Sequence, residues 1–160
     1  TNSNSNNAPT SGSAWGFTSD QLYLATNGTS ANYALRFYND NGLVGSVLVN
    51  GAGVAFNTSS DYRLKENQVS ISDAISKVKQ LKPYTFNFKT DASTTVDGFF
   101  AHEVQEVVPH AVSGEKDDEQ MQSMDYGKLT PLLTAALQEA ISEIETLKTE
   151  VAALKSQLNN

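Results

Sequence analysis

From Leu133 to the end of the chain, apolar residues recur alternately four and three positions apart. They are Leu133, Leu137, Ala140, Ile144, Leu147, Val151, Leu154 and Leu158. A strip of this period is too narrow for ordinary core packing and keeps facing a neighbour only when helices wind around each other. It is a heptad seam, with Leu137, Ile144, Val151 and Leu158 at a and Leu133, Ala140, Leu147 and Leu154 at d. Glu143 falls at g and Lys148 at the following e, and Glu150 and Lys155 repeat the pair, at offsets that bridge neighbouring parallel helices. The alternative, an amphipathic helix packed on its own domain, calls for a broader apolar face, so the seam points to self-association. Ile or Val at a with Leu at d leans towards two strands, so the seam by itself does not specify a trimer.

Charge divides the rest of the chain. The first sixty residues carry only Asp20, Arg36 and Asp40, whereas nearly all of the net charge of −7 lies beyond them. An acidic chain with no basic cluster repels phosphate, which argues against nucleic-acid binding. No apolar run approaches the roughly twenty residues of a membrane span. With no cysteine and two histidines, neither a disulfide nor a metal site is expected, and no cofactor is implied. The chain opens on Thr and not Met, which reads as a piece of something longer, and TNSNSNNAPTSGS lacks the charged and apolar regions of a signal peptide.

These contrasts predict four segments. Residues 1–13 read as linker or disorder. Residues 14–60 hold short β-type runs, QLYLAT, YALRFYN and GLVGSVLVNG, separated by Asn/Gly clusters. In this stretch Leu35, Phe37 and Asn39 are expected on one face, with Arg36, Tyr38 and Asp40 on the other, and NDNG is a hairpin turn. So few strands make a poor core. They fit either a small β sandwich or strands that need copies from other chains, as in a trimeric β-fibre. Residues 61–126 read as mixed α and β. SISDAISKVKQLKP is a helix with apolar residues at 71, 75, 78 and 81 and a Ser or Asp cap. PYTFNF is a strand, and DGFFAHEVQEVVPHAV is a short strand followed by a helix stopped by Pro109. GEKDDEQ is a solvated loop. Residues 127–160 are the coiled-coil helix, with Pro131 in its first turn. The fold class is therefore α+β, a β-rich segment followed by a small mixed domain and a long C-terminal helix.

At the charge boundary stands NTSSDYRLKEN. A serine hydroxyl is a weak nucleophile until a base takes its proton, and a lysine amine serves if desolvation keeps it neutral. Ser60 and Lys65 are five residues apart, close enough to meet across a bend. Such pairs are common, and on spacing alone a surface turn with a solvated lysine is the default.

Five stretches in order, SSDYRLKENQVSI, LKPYTFNF, GFFAHEVQEVVP, MDYGKLTPLLTAALQE and the closing heptads, resemble one family. It is the C-terminal intramolecular chaperone, auto-processing domain of phage endosialidases, tailspikes and long tail fibres, and the resemblance covers about residues 57–158. It implies a homotrimer that folds the upstream β-fibre of the same polypeptide and then frees itself by a single-turnover serine peptidase reaction. It also implies a place in the virion tail, after assembly in the host cytoplasm and release of the chaperone part. The family's nucleophile and base fall on Ser60 and Lys65, and its cleavage site on the bond between Ser60 and Asp61. His102 is a third catalytic candidate, at a position where the family also carries Gln. His110 has no such counterpart. Asp125 and Tyr126 match the motif before the last helix and are expected to be structural.

Direct attack of the Ser60 hydroxyl on its own carbonyl closes a four-membered ring, whereas attack on the Ser59 carbonyl closes a five-membered one. Either a water or another group is therefore activated against the Ser60 carbonyl, or the bond cut is Ser59–Ser60; the resemblance implies Ser60–Asp61. Two other readings compete: a non-cleaving trimerisation tip, and a tip that binds a host receptor or glycan through Trp15, Tyr23, Tyr33 and Tyr38. Asp20 and Asp40 stand apart, without the paired setting of a glycosidase.

Overall fold

The computed structural model describes the backbone of residues 14–17 and 22–159, so the expected linker, residues 1–13, lies outside the described residues. Contacts divide the chain into two compact units between Gln68 and Val69.

The first unit is built of antiparallel strands. β1 (Ala14–Phe17) pairs with β2 (Leu22–Ala25). β3 (Asn32–Asn39), β4 (Gly42–Asn50) and β5 (Gly53–Thr58) form a three-stranded meander. NDNG turns the chain as its residues dictate. Asn39 and Gly42 pair, the Asn41 N–H donates to Asn39 Oδ1 at 2.9 Å, and Gly42 takes φ +92°, a conformation that favours glycine. The expected alternation of faces does not run the length of β3. Its register shifts between Tyr33 and Leu35 and again between Phe37 and Tyr38, and Asp40 leaves the strand for the turn. An extra residue at such a shift breaks the period of two that the sequence suggests.

This unit buries little. Tyr33, Leu35, Phe37, Tyr38, Val54 and Phe56 are all exposed, Phe56 at 82%, and the one buried residue among the described residues of this unit is polar, Ser46. Among the described residues, the three-stranded sheet leaves many of its apolar side chains exposed.

The second unit has a core. α1 (Ala74–Val78), β6 (Tyr84–Phe88), β7 (Asp91–Gly98), α2 (Ala101–Val107) and α3 (Thr130–Leu158) are joined by short 3₁₀ turns and by a two-residue pairing of β8 (Val112–Ser113) with β9 (Ser123–Met124). Ala74, Val104, Val108, Ala111, Leu129, Leu132 and Ala136 are buried together, flanked by Ile75, Val78, Phe99 and Met124. The PYTFNF strand stands where the sequence puts it. The strand before α2 lies upstream of its expected place, in DASTTVDG, and ends at Gly98. α2 stops before Pro109 because a residue preceding proline avoids helical ψ; Val108 is at φ −134°, ψ 71°.

α1 is shorter than the apolar spacing predicts. Ile71 lies outside it and is exposed, and Asp73 precedes the helix at φ +55° without a side-chain capping bond. The cap comes from α3 instead: Glu139 accepts the N–H groups of Ala74 and Ile75 at 3.0 and 2.9 Å. α3 itself runs 29 residues with Pro131 in its first turn. Leu132 and Ala136 point into the core, while Leu137, Ile144, Leu147, Val151 and Leu154 are about half exposed. One helix therefore carries two apolar faces, an early one used by its own unit and a later one left open.

Candidate functional site

Strand β5 delivers the chain to the site and β4 fixes its end. The Ser59 N–H donates to the Val44 carbonyl at 3.1 Å, and Ser59 Oγ donates to the Leu43 carbonyl at 2.6 Å. Past Ser60 the chain bends sharply. Asp61 caps a 3₁₀ turn, Tyr62–Leu64, whose bonds run from Leu64 N to Asp61 O at 3.1 Å and from Lys65 N to Tyr62 O at 3.0 Å. That single turn carries the chain back on itself, and Lys65 Nζ lies 2.7 Å from Ser60 Oγ. A five-residue spacing becomes a direct contact because the turn is tight.

Arg63 completes the local structure. Its Nε donates to Asp61 Oδ1 at 2.9 Å, its Nη2 to Oδ2 at 2.8 Å, and its backbone N–H to Oδ1 at 2.9 Å. The Arg63 guanidinium, then the Arg63 N–H and more weakly the Lys65 charge, hold the Asp61 carboxyl below the ordinary range; the Asp61 carboxylate in turn raises Arg63. Ser60, Asp61, Arg63 and Lys65 are all exposed in the single chain.

A hydroxyl touching an amine is the donor set of a serine–lysine pair. With the amine charged, Nζ donates to Oγ. With it neutral, the same contact runs the other way and Nζ receives the hydroxyl proton. In general, an amine beside a hydroxyl becomes a proton acceptor only where water is excluded from around the pair.

His102 belongs to the second unit, on the first turn of α2, with its ring stacked on Phe100 at 6.0 Å between centroids. Beside it, Glu103 accepts from Lys82 Nζ at 3.0 Å and from the Tyr84 hydroxyl at 3.3 Å; the Lys82 bond chiefly holds its carboxyl low. Glu103 Oε2 is shut off from solvent with no hydrogen-bond partner. His110 is exposed on the 3₁₀ turn after Pro109. Asp125 caps the 3₁₀ turn Tyr126–Leu129 through Gly127 N at 3.0 Å, and the Tyr126 ring packs on Phe99.

Among the aromatics considered for glycan binding, Tyr33 lies under the Arg36 guanidinium at 4.0 Å and Tyr38 is exposed. The side chains of Trp15 and Tyr23, and all of Asp20, lie outside the described residues. Among the described residues no group of three or more His, Asp or Glu could hold a metal ion, and no helix is long and apolar enough to cross a membrane.

The sequence does not show Ser59 as an anchor to β4, nor the grip of Arg63 on Asp61. For Arg63 the signal was an arginine two residues after the aspartate of the junction, a spacing at which the side chain can fold back onto a capping carboxylate.

Comparison with known proteins places this turn at the edge of a recognised segment. Residues 60–113 match the Peptidase_S74 family, described as the chaperone of endosialidase. The match covers about a third of the chain and begins on Ser60 itself. The matched residues include Ser60, Asp61, Lys65 and His102. The chain is also 32% identical over 87 residues to the long tail fiber protein Gp37 of Escherichia phage AR1. That similarity covers 50% of this chain and 8% of the relative, so the chain spans a small part of that protein's length.

Proposed function

We propose that this chain is the end of a phage tail fibre or tailspike together with its intramolecular chaperone, which trimerises, folds the upstream β-fibre and releases itself by cutting between Ser60 and Asp61. The observation that carries the reading is the 2.7 Å contact between Lys65 Nζ and Ser60 Oγ at the first residue of the chaperone-of-endosialidase match. Ser60 and Lys65 form the catalytic pair, and His102 stands as a third catalytic candidate by family resemblance.

Two further features support it. The half-exposed seam on α3 leaves a helix face that three copies would cover. The strands of the first unit bury no described apolar residue fully, as expected of strands that complete their core with copies from other chains. Interwoven β-chains form many non-local contacts and fold slowly. Clamping three tails together first raises their effective concentration and sets their register. Cutting the clamp away afterwards separates the unfolding path from the folding path and leaves the fibre kinetically trapped. The product would sit in the virion tail after assembly in the host cytoplasm, with the parent protein meeting its host receptor or glycan.

The test is intact mass of freshly purified wild type beside Ser60→Ala and Lys65→Ala. Wild type is expected to yield the fragment of residues 61–160 and both variants to stay whole; cutting by either variant removes the pair. N-terminal sequencing of the fragment fixes the bond. Asp first supports Ser60–Asp61, and Ser first moves the cut to Ser59–Ser60. The exposure of both side chains in one chain favours a second reading, a trimerisation tip that does not cut, in which wild type remains intact as a trimer.

A further inference from the structure

We infer that Arg63 is a positioning residue for the cut between Ser60 and Asp61; this rests on the auto-processing reading above. Arg63 touches neither Ser60 Oγ nor Lys65 Nζ by any recorded bond. All three of its donations described above go to Asp61, the residue on the amine side of the bond to be cut.

Asp61 has two duties that Arg63 joins. It caps the 3₁₀ turn Tyr62–Leu64, and that turn is what returns Lys65 to Ser60. It is also one end of the scissile peptide, whose other side is tied to the sheet through the two Ser59 bonds to β4. The bond to be cut therefore lies one residue beyond the sheet-bound Ser59 and immediately before a clamped aspartate. An untethered Asp61 side chain could release the turn and let Nζ drift from Oγ. A planar fork that grips both carboxylate oxygens fixes direction as well as distance, which a single ammonium cannot do.

The reaction consumes one water. Its oxygen adds directly to the Ser60 carbonyl carbon. The carbon–nitrogen bond to Asp61 breaks, Ser60 gains a carboxylate and Asp61 leaves as an amine that takes up a proton. Holding Asp61 fixed keeps that leaving nitrogen in one orientation while the carbonyl carbon is attacked.

Stability is a poor explanation for the clamp. The ion pair lies on the surface, with the Arg63 side chain 74% exposed, where such pairs contribute little to folding. A contact with little folding value at the cutting site is suited to geometry.

The experiment follows single-turnover cutting by the full chain for wild type, Arg63→Ala, Arg63→Lys and Arg63→Ala with added guanidinium far below denaturing concentrations. Arg63→Ala is expected to slow cutting by about a hundredfold, the scale of misplacing reacting groups by about an ångström. Its melting temperature, oligomeric state and pH profile should match wild type. Arg63→Lys should remain slow, and guanidinium should restore part of the Arg63→Ala rate. An Arg63→Ala variant that cuts at the wild-type rate overturns the inference while leaving the serine–lysine pair intact. A slowed variant with a lowered melting temperature or lost assembly also overturns it, by making Arg63 structural. Wild type that assembles and never cuts overturns the underlying reading itself, and this inference with it.

Discussion

Glu139 caps the helix that begins at Ala74, its two carboxylate oxygens taking the N–H groups of Ala74 and Ile75 from 65 and 64 residues away. The first turn of a helix leaves N–H groups without partners, and α1 has no capping side chain of its own. The long C-terminal helix thus supplies by tertiary contact what local sequence usually supplies.

This cap makes a pH prediction. The backbone N–H bonds from Ile75 and Ala74 hold the Glu139 carboxyl below its ordinary value of 4.5. A lowered folded-state value means that the contribution is fully present above 4.5 and is lost as pH falls from there through the folded value. Glu139→Gln should lower the melting temperature at neutral pH and flatten its acid decline. The wild-type minus Gln difference, measured by thermal melts from pH 7 to 3, should shrink towards acid. A difference that does not change across that range would remove the charged cap.

The core of the second unit turns on Val104, only 1% exposed between α2 and the residues around it. Val104→Ala removes two methyl groups where little can collapse inward, and should destabilise this unit by about 2–3 kcal/mol in denaturant unfolding. A loss below half a kcal/mol would mean that the core repacks.

Gly98 is a glycine for reasons of space. A Cβ there would stand 2.7 Å from the Tyr126 hydroxyl and 3.1 Å from the Phe86 ring. Gly98→Ala should therefore destabilise by roughly 1–3 kcal/mol, the usual range for overpacking. Adding Tyr126→Phe, which deletes the closer obstacle, should recover part of that loss, as a double-mutant cycle would show.

Leu147→Glu with Leu154→Glu places carboxylates at two d positions of the seam. The variant should sediment as a single chain in ultracentrifugation and stay uncut, because assembly is what would cover the serine–lysine turn. Efficient cutting by that single chain would separate the chemistry from assembly.

The helical elements were legible where periodicity was long or a stop was explicit. The α3 seam and Pro131 marked the last helix, Pro109 ended α2, and NDNG turned β3 into β4. What the sequence hid was set by distant contacts. A Ser or Asp cap was expected on α1, and Glu139 occupies that role because α3 packs there. Faces alternating along LRFYND were expected, and the register shifts in β3 interrupt them. At the site, Ser60 and Lys65 are visible as a spacing, but their contact depends on a 3₁₀ turn capped by Asp61, a role its place in the sequence does not announce. Arg63 drew no notice because its partner is also its near neighbour, and an arginine beside an aspartate is commonplace.

The turn between Asp61 and Lys65 has a consequence for mixed populations. Under the proposed cut, hydroxyl, amine and target bond would all lie within six consecutive residues, so each subunit would carry its own serine–lysine pair even where assembly is needed to cover it. Co-expressing active chains with Ser60→Ala chains should give hybrids in which every active copy is severed and every defective copy stays whole. Its rate would be first order, indifferent to dilution once the subunits have joined. A tail built this way would shed its caps one by one, with no neighbour supplying a missing hydroxyl.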